Sequence, residues 1–464
     1  MIYPANFEEK IGFDRIREQV TALCSTPSAK AKLAEEGFST SADEIERRLS
    51  LMNEMRSLLM LERDFPDGDY PDPAPLVAKI RVEGSYLLAA EADQLRKALV
   101  TVGAIAEFIL GRGGARYPRL WELSRRVTLF PEIVRAIDVI LDDRGEVKDS
   151  ASPELQQVRR AIREREGQAA KRLQQVLQRA KQAGIVDADA VLSVRDGRPV
   201  IPVAAANKRK LQGFIHDESA TGRTFYVEPV EVVEINNELK ELEYAERREV
   251  VKVLSAFTES IRPDAEAIAD AGDYLSSVDM IRAKARWALA NDAGKPILST
   301  DDRLELRTAR HPLLQQTLRA QGREVVPLDL ALDRRKHILV ISGPNAGGKS
   351  VCLKTTGLMQ YLFQCGYPVP ASEVSELPVF RSIFIDIGDE QSIENDLSTY
   401  SSHLLNMKNI LRSAGERSLI LIDEFGTGTE PIIGGAIAEA LLEKFEQRHC
   451  FGVITTHYSN LKYY

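Results

Sequence analysis

Residues 338–350 read ILVISGPNAGGKS. Four apolar residues feed a G-x-x-x-x-G-K-S loop at Gly343–Ser350, and a helical pattern follows at Val351–Cys365. This stretch constrains the fold most tightly. Glycines let successive backbone N–H groups curl around phosphate oxygens, and the N-terminus of the following helix favours anions. The motif needs a strand before it and a helix after it, and both patterns are present. The loop therefore predicts α/β architecture and bound ATP, cradled by Gly343, Pro344, Asn345, Ala346, Gly347, Gly348 and Val351. Lys349 is the candidate for the β- and γ-phosphates, and Ser350 for Mg2+.

A second apolar run, in Leu419–Pro431 (LILIDEFGTGTEP), ends in Asp423-Glu424. Downstream of such a loop, Asp423 would reach Mg2+ through a coordinated water, and Glu424 would polarise the attacking water as general base. Alone, the segment also reads as a buried strand ending in acidic residues. Adjacent Asp-Glu at this place points to ABC-type ATPases rather than GTPases. His457, after Ile454-Thr455-Thr456, would sense the γ-phosphate; a lone histidine there is more often structural. Between the glycine-rich and acidic motifs lies Asp386–His403 (DIGDEQSIENDLSTYSSH). Gln391 is the candidate for coupling the metal site to distant domains. Ser398–Ser402 precedes a helix, where hydroxyls and N–H groups can bind a phosphate or simply cap the helix. ABC heads pair, and such a loop on one head closes on the ATP of the other.

The rest of the chain reads differently. Residues 1–150 form a first block of helices, with helical spacing in Ser41–Arg63 and Leu87–Leu110. Ser152-Pro153 opens a long helix, and 151–185 is an ascending arm. Eight basic residues lie in Leu155–Gln182, Arg163 and Lys171 among them. At ~1.5 Å per residue, Leu155–Gln182 alone makes an arm of about 42 Å. In 186–230 the period changes to two, around the turn signals Asp196-Gly197 and Ser219–Gly222, which predicts a small β module at the arm's tip. Lys208, Arg209 and Lys210 lie within it. Segment 231–295 returns as helix, antiparallel to the arm. From about Leu298 strand-like runs appear at His337–Ile341, Ser382–Ile387, Leu419–Ile422 and Gly452–Ile454, and 296–464 is the ATPase domain.

Composition narrows the function classes. The net charge is −8, so any nucleic-acid surface must be local. The four cysteines, Cys24, Cys352, Cys365 and Cys450, form no disulfide scaffold or metal-ligand spacing. A reduced, cytoplasmic setting is expected. The N-terminus does not read as a signal peptide, and no apolar run approaches the ~20 residues that span a bilayer.

GPNAGGKS, STYSS, DEFGTGTEP and TTH together resemble the nucleotide motifs of the MutS family, and Arg310-His311-Pro312 resembles the segment opening its ATPase domain. VRDGRPVIPV and HDESATGRTFYVEP are similar to the second bacterial branch, called MutS-two here. The resemblance covers nearly the whole chain. It implies an α/β multidomain fold: a mostly α-helical core and lever, a small β clamp, and an ABC-type P-loop ATPase domain. It also implies a homodimer with composite ATP sites that binds nucleic acid and no membrane. The target would be branched DNA, with recombination suppressed, or alternatively rRNA in stalled or collided ribosomes that are split. Phe7-Glu8-Glu9 carries the letters of the family's mismatch-reading motif without its α/β domain, and is read as coincidence. The branch usually continues into a linker and an Smr nuclease domain. The chain stops seven residues beyond His457 and reads as C-terminally incomplete. Lys208, Arg209, Lys210, Arg163 and Lys171 are the candidate phosphate contacts.

Overall fold

The structure is a computed structural model that describes residues 1–195, 197–343, 348–387, 399–426, 430–458 and 461, with backbone alone at 399–402 and 431. Its α/β fold is mostly helical, with three sheets among the described residues. The chain divides into two units. One comprises Met1–Asp72, Thr101–Leu129 and Asp270–Tyr464, the other Pro73–Val100 and Phe130–Ala269. The 1–150 block expected from sequence is thus shared between them.

In the first unit, five parallel strands lie in the order Ile2–Tyr3, Ser382–Asp386, Ser418–Ile422, Phe451–Thr456, Ile338–Ser342. Four of them are the runs expected from sequence. Every residue of Ser418–Ile422 and Phe451–Thr456 is buried, which is why these read as unbroken apolar runs rather than alternation. The fifth strand corrects the assignment of the N-terminus to helical core. Ile2 and Tyr3 pair with Ile383 and Phe384, and two residues are too few for a period-two signal. Behind this strand, Phe7 and Phe13 set their rings 5.1 and 4.9 Å from Tyr361 of helix Lys349–Gln364. That helix is buried nearly all round. Its interior Gln364 amide donates to the carbonyls of Ser39 and Phe380, which offsets the cost of its burial. A second, mixed sheet that the sequence does not announce orders Ile297–Leu298, Glu376–Leu377, Leu304–Ala309 and Leu328–Leu332.

A buried ion cluster fixes the helical part of this unit. Asp279 Oδ2 accepts from the N–H groups of Ser25 and Thr26, both at 2.8 Å, and its Oδ1 accepts from Arg282 at 2.8 Å. Arg282 is fully buried, stacks 3.6 Å from the Tyr70 ring centroid, and donates to Gly68 O at 2.7 Å.

The second unit contains the arm. Helix Pro153–Gln182 begins where sequence places it, with the Ser152 side chain accepting from Leu155 N–H at 3.0 Å. Its partner is Val230–Ile261. Arg159 pairs with Glu246, Arg165 with Glu238, and Arg172 and Arg179 with Glu231, at 2.6–2.7 Å. Rising numbers on one helix against falling numbers on the other make the pair antiparallel. The return segment is helical to Ala290 in two long pieces. It turns through Arg262–Asp264 at Pro263, which cannot supply a helical N–H, before Ala265–Ala290.

The β module is a four-stranded antiparallel sheet ordered Ser193–Arg195, Arg198–Ala204, Thr224–Pro229, Gly213–Glu218. Ile201, Val203 and Val227 bury one face with Leu173, Val176 and Leu177 of the arm. Strands approach closely at Gly213, where a Cβ would lie 2.2 Å from Glu228 O. The register shifts at Ile215/Asp217, and such a bulge re-aims a side chain: His216 between them bonds Glu228. Burial opposes the charge on Glu228. Hydrogen bonds from Asn236, His216 and Arg198 outweigh it and hold the carboxyl below its usual range.

Candidate functional site

The chemistry-bearing residues gather at the C-terminal ends of the parallel strands, the usual place for ligands in open α/β sheets. Register sets Ser342 beside Thr456, Ile422 beside Ile454 and Asp386 beside Ile422. Four segments distant in sequence therefore emerge along one edge.

Gly348 caps helix Lys349–Gln364 with φ 81°, a left-handed conformation that favours glycine. Lys349 follows as the first helical residue and is buried. Its Nζ donates to Gly343 O at 2.6 Å and lies 3.4 Å from His457 Nε2. The two ends of the loop and the histidine thus share one ammonium group. Lysine has only protons to give, so the imidazole Nε2 is the acceptor. Ser350 occupies the first turn, where helical N–H groups lack intrahelical partners.

The acidic pair stands next to this cluster in the strand order. Asp423 is buried, its N–H donating to Asp386 O at 2.8 Å. Glu424 is exposed and holds φ 51°, uncommon for a residue with a side chain. Its N–H donates at 2.8 Å to Thr455 Oγ1, whose own proton goes to Asp423 Oδ1.

Sequence reasoning misses a polar network beside them. Asp386 accepts from Asn406 at 2.8 Å and bonds His403 Nδ1 at 2.7 Å. Tyr3 OH donates to Asn406 at 2.7 Å, so the unanticipated N-terminal strand supports the network. The hydrogen bond to Asp386 raises the His403 pKa above its ordinary value, although burial works against it. A cavity of about 30 Å3, one water in size, lies among His403, Asp386, Asp423 and Glu424. The sequence signal is faint: Asp386 and His403 bound a segment whose letters draw attention to Gln391 and Ser398.

Pro344, Asn345, Ala346, Gly347, Gln391 and Ser398 lie outside the described residues, and Val351 is exposed at the first turn of the helix. Of the candidate phosphate contacts, Arg163 is held by Asp149 at 2.8 Å. Lys171, Lys208, Arg209 and Lys210 are exposed. Lys208 Nζ sits 4.5 Å over the Phe225 ring. No described helix is long and apolar enough to cross a membrane.

Residues 339–464 match the family model for MutS domain V. The endonuclease MutS2 of Bacillus velezensis is 36% identical over 454 residues, 97% of this chain and 57% of the relative. That of Pelotomaculum thermopropionicum is 36% identical over 454 residues, covering 98% and 57%. That of Thermomicrobium roseum is 37% identical over 463 residues, covering 97% and 57%. The chain spans 57% of the length of these curated relatives.

Proposed function

Because this chain belongs to the MutS family, alongside the MutS2 proteins, we propose that it hydrolyses ATP at the strand-end site and couples hydrolysis to movement of its arm and β clamp on nucleic acid. One observation carries the reading: Lys349 and His457 meet at the loop, while the Asp423-Glu424 pair is fastened to Thr455, two residues before that histidine.

The roles follow from chemistry. Backbone N–H groups of Gly343–Ser350 hold the phosphates, and the Lys349 ammonium neutralises the β- and γ-oxygens. On binding, Lys349 exchanges the Gly343 carbonyl for phosphate. His457 lies within reach of the same ammonium and contacts the γ-phosphate. Glu424, exposed at the strand end, takes the proton of the attacking water. A hydroxyl from Ser350 and a carboxylate from Asp423 suit Mg2+, a hard cation that commonly takes one or two protein oxygens beside water and phosphate. When bound, Mg2+ would offset the negative charge of the phosphates. Gln391 and Ser398 complete the assignment, Gln391 at the metal and Ser398 toward the nucleotide of a second copy in a homodimer.

Branched DNA is the proposed target, held through backbone phosphates by Lys208, Arg209 and Lys210 at the clamp, with Lys171 on the arm. The endonuclease activity in the relatives' name is assigned to no residue of this chain.

The reading is tested by phosphate release from ATP, expected in the chain and abolished by Lys349→Ala or Glu424→Gln. Release unaffected by both changes would refute it. Pull-down with ATP-trapped Glu424→Gln identifies the target: branched DNA supports the proposal, and ribosomal RNA in its place replaces it with a ribosome-splitting role.

A further inference from the structure

Thr455 has no exposed surface, yet its hydroxyl bonds both members of the acidic pair. The single hydroxyl proton goes to Asp423 Oδ1, so an oxygen lone pair receives the Glu424 N–H. That N–H belongs to a residue at φ 51°. A left-handed non-glycine residue persists only where its surroundings over-determine it, and such residues cluster at functional sites. Here one strand end supplies several of the restraints. Phe425 N–H donates to Thr455 O at 2.8 Å, Thr456 Oγ1 donates to Phe425 O at 3.3 Å, and Tyr458 OH donates to Gly426 O at 2.7 Å. The turn that carries Glu424 is thus fastened, residue by residue, to the strand end that carries His457.

We infer that Thr455 is the positioning residue of the hydrolytic step: its hydroxyl holds Glu424 in the left-handed conformation and orients Asp423, so the base and His457 move as one body. This rests on the ATPase reading above. Thr455 touches neither ATP nor the attacking water; it acts through Asp423 and Glu424. A purely packing role would need the shape of the side chain and not its oxygen.

The test exploits that difference. Thr455→Val keeps the shape and removes the hydroxyl; Thr455→Ser keeps the hydroxyl and removes a methyl group. Phosphate release and ATP affinity are measured on both, with thermal unfolding to establish folding. Thr455→Val is expected to lower kcat about tenfold or more, with KM and the ATP Kd within about threefold of the parent. Thr455→Ser is expected to stay within about threefold of the parent kcat. An undiminished kcat in Thr455→Val overturns the inference, as does an equal fall in both variants. Should Thr455→Val not fold, Thr455→Ala replaces it, with the same expectation. Parallel Lys349→Ala and Glu424→Gln proteins separate the two failures. If they abolish release while Thr455→Val does not, only the role of Thr455 falls; if they leave release unchanged, the ATPase reading itself falls.

Discussion

Replacing Lys349 with Met separates the proposed phosphate-binding role of this lysine from a structural one. In the free protein the buried ammonium donates to Gly343 O at 2.6 Å and stands 3.4 Å from His457. Methionine fills similar space and removes a buried cation, so unfolding without ligand should occur at the same temperature or slightly higher. The effect belongs to the ligand. A hydrogen bond to a charged group contributes about 1.5–3 kcal/mol, and losing ~2.7 kcal/mol weakens ATP binding about 100-fold. At ATP near 100 times the parent Kd, binding stabilises the parent by about 2.7 kcal/mol. The same concentration only equals the variant's Kd, which leaves ~0.4 kcal/mol. For a unit of this size that is a rise of roughly 5 °C in the parent against about 1 °C in the variant. Differential scanning calorimetry with and without Mg-ATP reads both. An ATP-induced rise in Lys349→Met equal to the parent's would refute the reasoning. So would a ligand-free variant that unfolds well below the parent, because the lysine would then be part of the scaffold. Glu424→Gln, which changes the chemistry and spares the cradle, should keep the full rise.

Asp279→Ala leaves the fully buried Arg282 to the part-exposed Asp67 carboxylate at 3.2 Å and strips two backbone N–H groups of their acceptor, so it should cost about 3 kcal/mol in urea unfolding, and a loss under ~1 kcal/mol would dismiss the cluster as an anchor. Burial pushes the His311 ring down to about 4, opposed by a hydrogen bond with the Ile11 backbone and reinforced by Lys354 and Arg15, and its Nδ1 has no hydrogen-bond partner. The unfolded chain, with a histidine pKa near 6.5, therefore protonates first. The neutral ring's contribution is full above about pH 6.5 and falls away toward pH 4, by about 2–3 kcal/mol at pH 4.5. His311→Asn should flatten the acid limb of the stability profile by that amount, and an unchanged limb would contradict it. Reversing Lys208, Arg209 and Lys210 to Glu should weaken DNA binding and reduce the slope of log K against log salt by about 2.7 for three phosphate contacts, and an unaltered slope would remove them from the interface.

What can be read from sequence are features whose chemistry demands contiguous residues. The loop at Gly343–Ser350 and the strand ending in Asp423-Glu424 carry their own flanks, and the structure supplies the strands where expected. Ser152-Pro153 announces its helix because capping is local. The illegible parts depend on partners far along the chain. Ile2–Tyr3, Ile297–Leu298 and Glu376–Leu377 are two-residue strands that exist only through their neighbours. Thr455 looks like any strand residue until the 423–426 turn is laid against it. The break at Pro263 has a local cause, since proline interrupts a helix, but apolar spacing resumes after it and masks the interruption.

The arm shows why charge counted along a sequence misleads about recognition. Its basic residues read as candidate phosphate contacts, but register across the helix pair sets Arg159, Arg165, Arg172 and Arg179 against Glu246, Glu238 and Glu231. These ion pairs reach solvent, so each contributes no more than about 1 kcal/mol, and a polyanion could displace the glutamates at little cost. The gain would be equally small, because every displaced carboxylate stays beside the incoming phosphate and repels it. Arg209 and Lys210 stand exposed at the clamp, where a phosphate need displace no carboxylate ion pair of the arm. Lys208 keeps its cation over the Phe225 face, which orients the ammonium without neutralising it. On the proposed function, phosphate recognition by this unit would therefore concentrate at the β module, while the arm's ion pairs join its two helices.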